Sequence, residues 1–139
     1  MLKKIISILL SLTVIFSFGL TANAAPSNNE ISPYYLYTLS GSSSLNISNG
    51  TATCKSQLTG ISSKTTKIVG YQYLEKSNGT KWETVDGGTW NDTTNSFMLT
   101  LSNTKESLGS GTYRVRAVFN VYSGNKYETV EKTSKEVTI

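Results

Sequence analysis

Residues 111–121 read GTYRVRAVFNV, a stretch in which apolar and polar side chains alternate. An alternation with a period of two is typical of a β-strand with one face in a core and the other toward solvent. The predicted inner face is Tyr113, Val115, Ala117, Phe119 and Val121. The predicted outer face is Arg114, Arg116, Val118, Asn120 and Tyr122. The stretch therefore predicts a sheet with one core face and one basic, aromatic surface.

Tight turns divide most of the remaining sequence into similar alternating segments. The turn signals are Asn49-Gly50, Asn78-Gly79 and Ser123-Gly124-Asn125. Asn and Gly tolerate the positive φ values that short hairpin turns require, so three β-hairpins are predicted. With residues 96–102 (SFMLTLS), the pattern gives about seven antiparallel strands and favours an all-β sandwich.

Two further predicted strands show a clear apolar face. In residues 51–58, Ala52, Cys54 and Leu58 share one side, so the thiol is expected to face the core. In residues 96–102 the expected inner set is Phe97, Leu99 and Leu101.

The N-terminus has the pattern of a secretory signal peptide. Lys3 and Lys4 precede an apolar run that is shorter than the roughly 20 residues of a membrane span, and the run is followed by Ala22-Asn23-Ala24. We expect cleavage after Ala24, a secreted, extracellular product and no membrane attachment afterwards.

Three segments follow from this interpretation: a signal peptide (1–24), an N-terminal arm (25–40) and a β-sandwich domain (41–139). The arm is expected to dock through Tyr34, Tyr35 and Leu36. The sequence SGSSS (40–44) is interpreted as a loop or an edge-strand irregularity.

Composition excludes several classes of function. The sequence contains no histidine, which removes the commonest general base and metal ligand. Basic and acidic residues are interspersed, with a net charge of +4, which does not indicate nucleic-acid binding. Its single cysteine allows no intramolecular disulfide, so Cys54 is either a buried thiol or forms an intermolecular bond. We expect no enzyme activity and no cofactor.

Acidic residues offer the remaining route to catalysis or metal binding. A glycosidase needs only two carboxylates, and the chain offers several candidates, of which Glu83 and Asp86 form one pair, although none is distinguished by the pattern. The candidates are Glu75, Glu83, Asp86, Asp92, Glu106, Glu128, Glu131 and Glu136. The predicted loop 86–92 (DGGTWND) carries oxygen donors but lacks the spacing of a calcium loop, and turn chemistry also explains its composition. Solvated charge pairs are the favoured interpretation of these acids.

Aromatic side chains give the only positive indication of binding. Tyr71 and Tyr73 alternate along one strand and, if they point outward, they share a sheet face with the arginines of residues 111–121. The alternative register places Val69, Tyr71 and Tyr73 in the core, and Trp82 is interpreted as either a core or a rim residue. The predicted ligand-binding set is Tyr71, Tyr73, Trp82, Arg114, Arg116 and Tyr122. Such a surface suits a protein or a glycan.

The segment SLGSGTYRVRAV (107–118) resembles an immunoglobulin-type sandwich. The resemblance implies that Tyr113 forms a tyrosine corner and that Cys54 occupies the position of the second-strand cysteine. The position of its disulfide partner is Val115, so the resemblance implies a thiol packed on valine. No Trp follows Cys54 at the usual short interval, which departs from antibody-type domains.

A second resemblance covers most of the chain. The segments that carry it are ISPYY (31–35), SLNISNGTATCKSQLTG (44–60), KIVGYQYLEKSNGTKWETV (67–85) and GTYRVRAVFNVYSGNKYETV (111–130). They are similar to small secreted proteins of Gram-positive bacteria that form a domain family of unknown function. The resemblance implies secretion and a small sandwich, and it offers no catalytic residues.

The sequence therefore predicts a secreted, non-catalytic interaction module with an immunoglobulin-like sandwich. Its partner is an unidentified extracellular protein or glycan, and the alternative is a carbohydrate or cell-wall binding module that uses Tyr71, Tyr73, Trp82 and Arg116. A secreted hydrolase and a self-assembling protein are the competing hypotheses. The sequence leaves the oligomeric state open.

Overall fold

A computed structural model describes residues 33–139, and this part of the chain is all-β. The predicted signal peptide and residues 25–32 of the predicted arm lie outside the described residues. The strands are β1 (Thr38–Ser48), β2 (Thr51–Gly60), β3 (Lys67–Ser77), β4 (Trp82–Thr94), β5 (Met98–Lys105), β6 (Thr112–Ser123), β7 (Lys126–Thr133) and β8 (Val137–Thr138). Within residues 33–139, no helix is long and apolar enough to cross a membrane.

The strands form two antiparallel sheets. One sheet has three strands in the order β1-β2-β5, and the other has the order β4-β3-β6-β7, with the short β8 also paired to β6. Apolar side chains from both sheets form common buried clusters, an arrangement consistent with a β-sandwich.

All three predicted hairpins are present. Asn49 and Gly50 have φ values of 50° and 73° in the β1–β2 turn. Gly79 and Gly124 also have positive φ, in the β3–β4 and β6–β7 turns. The turn chemistry therefore identified all three hairpins correctly. The described chain has one strand more than the predicted seven, and the additional strand is β8, which is only two residues long.

The core consists of two adjacent clusters. The first contains Leu58, Ile68, Phe119 and Val121, among others, and the second contains Cys54, Leu74, Tyr113 and Val115, among others. The predicted inner faces of β2 and β6 are confirmed, since every apolar residue assigned to them is buried. Cys54 is a buried free thiol in the same cluster as Val115.

The prediction that Phe97 belongs to the inner face of β5 is wrong. Leu99 and Leu101 are buried, whereas Phe97 is 39% exposed. The strand begins only at Met98, and Phe97 lies in the preceding connection, where its carbonyl accepts a hydrogen bond from the amide of Gly60 at the end of β2 (2.6 Å). The alternation therefore does not extend to Phe97.

The prediction of a loop at residues 86–92 is also wrong, because β4 runs through it. The pairing of β3 with β4 has a register irregularity between Tyr73 and Glu75, opposite this segment, and Gly87 has a φ of 69°. Asp86, Gly87 and Gly88 therefore form a bulge that bends the strand without ending it. Trp90 consequently lies on β4 and packs against the second core cluster.

The N-terminal segment docks differently from the expectation. Tyr34 and Leu36 are 90% and 50% exposed, whereas Tyr35 and Tyr37 pack against the first core cluster. The Glu128 carboxylate accepts hydrogen bonds from the Leu36 and Tyr37 amides (2.7 and 2.9 Å). The SGSSS segment belongs to the edge strand β1, which has a register irregularity between Thr38 and Ser40.

Candidate binding surface on the outer face of the larger sheet

The six predicted ligand-binding residues lie on one face of the larger sheet. Burial alternates along β3, with Ile68 and Leu74 buried, so Tyr71 and Tyr73 point outward, which is the first of the two registers that the sequence allowed. The strand register places Tyr73 opposite Arg116. We call the surface formed by Tyr71, Tyr73, Trp82, Arg114, Arg116 and Tyr122 the outer face; all six residues are half-buried.

A carboxylate that the sequence did not single out organises the centre of the outer face. Glu75 is only 4% exposed. Its Oε2 accepts a hydrogen bond from Arg114 Nε (2.8 Å), and its Oε1 accepts one from Arg116 Nε (2.6 Å). Both carboxylate oxygens are therefore engaged, and the two arginine side chains are held side by side.

Arg116 is also held from the neighbouring strand, since its Nη1 lies 3.7 Å from a Glu131 carboxylate oxygen. Burial lowers the pKa of Arg116, but the hydrogen bond and charge of Glu75, together with the charge of Glu131, raise the pKa above its usual value. The guanidinium is therefore charged at any physiological pH.

Each arginine also covers an aromatic ring. Arg114 Cζ lies 4.2 Å from the Trp82 ring centroid, and Arg116 Cζ lies 4.5 Å from the Tyr73 ring centroid. These distances are within the range of cation–π attraction. A continuous chain of contacts crosses three strands, from Trp82 through Arg114, Glu75 and Arg116 to Tyr73. We call these five residues the cation–aromatic ladder.

The other end of the outer face is aromatic. The Tyr122 and Tyr127 ring centroids are 5.2 Å apart, and Lys67 Nζ lies 4.1 Å from the Tyr122 centroid. Tyr71 lies between this pair and the ladder. Among the described residues, no lysine or arginine takes a cation–π position over the Tyr71 ring.

The contact of Glu75 with the arginines could have been predicted only from the register between β3 and β6. Glu75 follows Tyr73 by two positions, which places it on the same face, and the pairing of β3 with β6 places it opposite Arg114. The sequence shows the alternation within each strand but not this pairing. Glu75 therefore could not be distinguished from the other acidic candidates.

Several of the other acidic candidates lie at exposed positions or are held by other groups. Glu83 is exposed and pairs with Lys81 (3.2 Å). Asp86 and Asp92 are exposed positions on β4, and Glu128 accepts the two backbone amides described above. Within residues 33–139, no three Cys, Asp or Glu side chains come together as metal ligands would.

Comparisons with protein-family models, curated proteins and solved structures gave no match to this chain. The function is therefore inferred from the residues of the outer face itself.

Proposed function

We propose that this chain is a secreted, non-catalytic interaction module that binds an extracellular protein through the outer face. The observation that carries the proposal is the presence of the six residues Tyr71, Tyr73, Trp82, Arg114, Arg116 and Tyr122 on one face of one sheet. Tyr, Trp and Arg are the residue types most enriched at the energetic centres of protein–protein interfaces.

The ladder favours binding because it fixes its side chains before a partner arrives. Each arginine has a carboxylate at one side and a ring beneath it, so little side-chain freedom remains to be lost on association. A surface that is ordered in advance loses less entropy on binding.

The ladder also favours a protein partner over a stacked sugar. A sugar ring stacks on an open aromatic face, and one face of Trp82 and one face of Tyr73 are already covered by guanidinium groups. The resulting surface alternates rings and charges, which suits a protein surface with its own carboxylates and apolar side chains.

A carbohydrate or cell-wall binding module is the second candidate, and Tyr71 supports it. This half-buried ring has no lysine or arginine over it within the described residues, so it is the residue best placed for sugar stacking. Arg116, beside Tyr73, would then contribute charge.

We further infer that the sandwich is immunoglobulin-like. The four-strand path β4-β3-β6-β7 faces β1-β2-β5, which corresponds to the C′-C-F-G and A-B-E sheets of such domains. The Tyr113 hydroxyl donates a hydrogen bond to the Gly109 carbonyl (2.8 Å), as in a tyrosine corner. These features support the fold assignment and leave the partner to experiment.

The test compares the wild-type full chain with two double variants in quantitative affinity capture from extracellular proteins. Tyr71→Ala/Tyr73→Ala changes the outer face, and Gln57→Ala/Thr59→Ala changes half-buried residues on the outside of β2, in the other sheet. We expect at least one protein to be recovered about tenfold less with the first variant and equally with the second. That protein must then bind the purified wild-type chain saturably.

Folding of each variant is checked by circular dichroism and thermal unfolding. Equal recovery of every captured protein with all three chains would overturn the proposal. Saturable binding to a glycan array, lost with Tyr71→Ala but retained with Gln57→Ala/Thr59→Ala, would instead establish the carbohydrate candidate.

A further inference from the structure

A cavity of about 340 Å³ lies at the β5–β6 end of the sandwich, apart from the outer face. Its wall is formed by Lys76 from β3, residues 83–85 from β4, Lys105 from β5, residues 106–109 of the β5–β6 connection and Tyr113 from β6. Lys76 and Tyr113 alternate with Glu75 and Arg114 along their strands, so they project to the opposite side of the sheet. A ligand in the cavity would therefore not need the cation–aromatic ladder.

Two lysines line the cavity without a carboxylate partner. Lys76 and Lys105 are both half-buried. Within residues 33–139, neither ammonium group has a carboxylate oxygen within 4.0 Å. Lys76 Nζ lies 5.4 Å from the Tyr113 ring centroid, which orients its side chain along the wall. The cavity thus contains two positive charges that are not neutralised by direct ion pairs.

Glycines make room for both lysine side chains. A Cβ atom on Gly87 would lie 3.2 Å from Lys105 Nζ, and one on Gly111 would lie 3.2 Å from Lys76 Nζ. Because glycine has no Cβ, each lysine side chain can lie close to the backbone at these positions, where a larger residue would displace it. Both glycines also have positive φ, 69° and 151°, which favours glycine there.

The loop wall of the cavity is fixed by hydrogen bonds at two points. The Leu108 amide donates to the Gly50 carbonyl (2.9 Å), and the Tyr113 hydroxyl donates to the Gly109 carbonyl (2.8 Å). Ser107, between Lys105 and these anchors, has a φ of 61°. These contacts hold the loop wall of the cavity in place.

We propose that this cavity binds a hydroxylated anion of about monosaccharide size, that is, a sugar acid or a sugar phosphate. The anionic group would pair with Lys76 and Lys105. Glu83 already pairs with Lys81, which leaves Glu106 to accept hydrogen bonds from ligand hydroxyls. Val85 and Leu108 provide apolar wall for the C–H face of a ring. The volume is at the small end of the range for ligand pockets.

The proposal goes beyond the protein-binding proposal and does not depend on it. It is tested by calorimetric titration of the full chain with glucuronate and with glucose 6-phosphate. Glucose is the neutral control. Acetate and inorganic phosphate are the anionic controls, because they carry the charged group but lack the hydroxylated carbon atoms of a sugar. We expect one or both sugar anions to bind saturably and at least tenfold more tightly than any control, and the stronger of the two identifies the anionic group.

Lysine variants locate the site. Lys76→Gln and Lys105→Gln should each weaken binding about tenfold or more, the loss of one charge-assisted hydrogen bond, whereas Lys76→Arg should retain most of it. Lys64→Gln, at an exposed position, is the matched charge control and should leave binding unchanged. If loss of the Lys76–Tyr113 contact affects folding, Lys105→Gln alone tests whether a lysine of the cavity binds the ligand.

Absence of saturable binding by both sugar anions would overturn the proposal, as would binding that is unchanged in both Lys76→Gln and Lys105→Gln. Glucose or acetate binding as tightly as glucuronate would also overturn it. Tyr71→Ala/Tyr73→Ala should bind the sugar anions normally, so failure at the cavity and failure at the outer face are distinguishable.

Discussion

At the residue scale, Glu75 is the feature on which the outer face depends. Two arginines on adjacent positions of one strand face would repel each other, and a buried carboxylate between them converts this repulsion into two short ion pairs. The same contacts hold each guanidinium over a ring. The geometry of the candidate binding surface therefore depends on one acidic side chain that is itself almost inaccessible.

Substitution Glu75→Gln tests this role through stability. It leaves Arg114 without a carboxylate partner and Arg116 with only the longer contact to Glu131, and we expect the free energy of unfolding to fall by about 2–3 kcal/mol. The loss should be below the roughly 3–5 kcal/mol of a fully buried pair, because the arginine side chains are 24% and 27% exposed. Urea unfolding measures it.

Glu83→Gln is the matched control for Glu75→Gln. Its ion pair with Lys81 is exposed, so its substitution should change the free energy of unfolding by less than about 0.5 kcal/mol. Equal effects of the two substitutions would show that the arginines are solvated without cost and that Glu75 does not organise the surface.

At the scale of the element, β3 shows why its register could not be decided from sequence. Its outward set, with Val69, Tyr71 and Tyr73, is more apolar than its inward set, which includes Gly70 and Gln72. Two features of the opposite sheet allow the inward set to be buried. Gly70 leaves space for Leu99 and Leu101 side chains, and Gln72 hydrogen-bonds with Ser56 and Asn103 (both 2.8 Å).

Other elements were predictable to the extent that their signals were local. Turn chemistry located the three hairpins, and the regular alternation of β2 and β6 identified their buried faces. The course of β4 through Asp86-Gly87-Gly88 was not predictable, because the same residues form either a loop or a bulge. All six predicted binding residues share one face, whereas Glu75 required the β3–β6 register.

The substitution Gly70→Val separates local strand propensity from packing. Valine favours strands, but a Cβ at this position would lie 2.8 Å from Leu99 Cδ2 and 3.1 Å from Leu101 Cδ1. We expect overpacking to dominate and the free energy of unfolding to fall by about 2–3 kcal/mol in urea titrations.

Gly41→Val is the control for Gly70→Val on the edge strand β1. There the nearest atoms are those of the flexible Lys132 side chain (3.2 and 3.3 Å). This substitution should be neutral or slightly stabilising. A stable Gly70→Val chain would indicate that β3 can shift its register or that the sheets can separate locally.

At the scale of the whole molecule, stability comes from the packing of the two sheets, since a single cysteine allows no internal disulfide. Cys54 has no exposed surface and lies with Leu74, Tyr113 and Val115 between the sheets. A reagent or a second thiol can therefore reach it only when the sandwich opens. The thiol is consequently a reporter of global unfolding, and an intermolecular disulfide through it would require unfolding of the domain.

The ionisation of Cys54 couples the stability of the whole domain to alkaline pH. Burial raises the pKa of the Cys54 thiol from 9.0 to about 11. The unfolded chain therefore loses this proton at a lower pH than the folded chain does. The contribution of the protonated thiol to the stability of the fold is complete below pH 9 and is lost as the pH rises to about 11. Two pKa units correspond to about 2–3 kcal/mol. Urea unfolding of the wild-type chain should show this loss between pH 8 and pH 11 in addition to any loss shown by Cys54→Ala, which is the control for every other ionisable group. Parallel changes in the two proteins, or rapid labelling of the native thiol at pH 8, would mean that Cys54 is accessible to solvent in the folded domain.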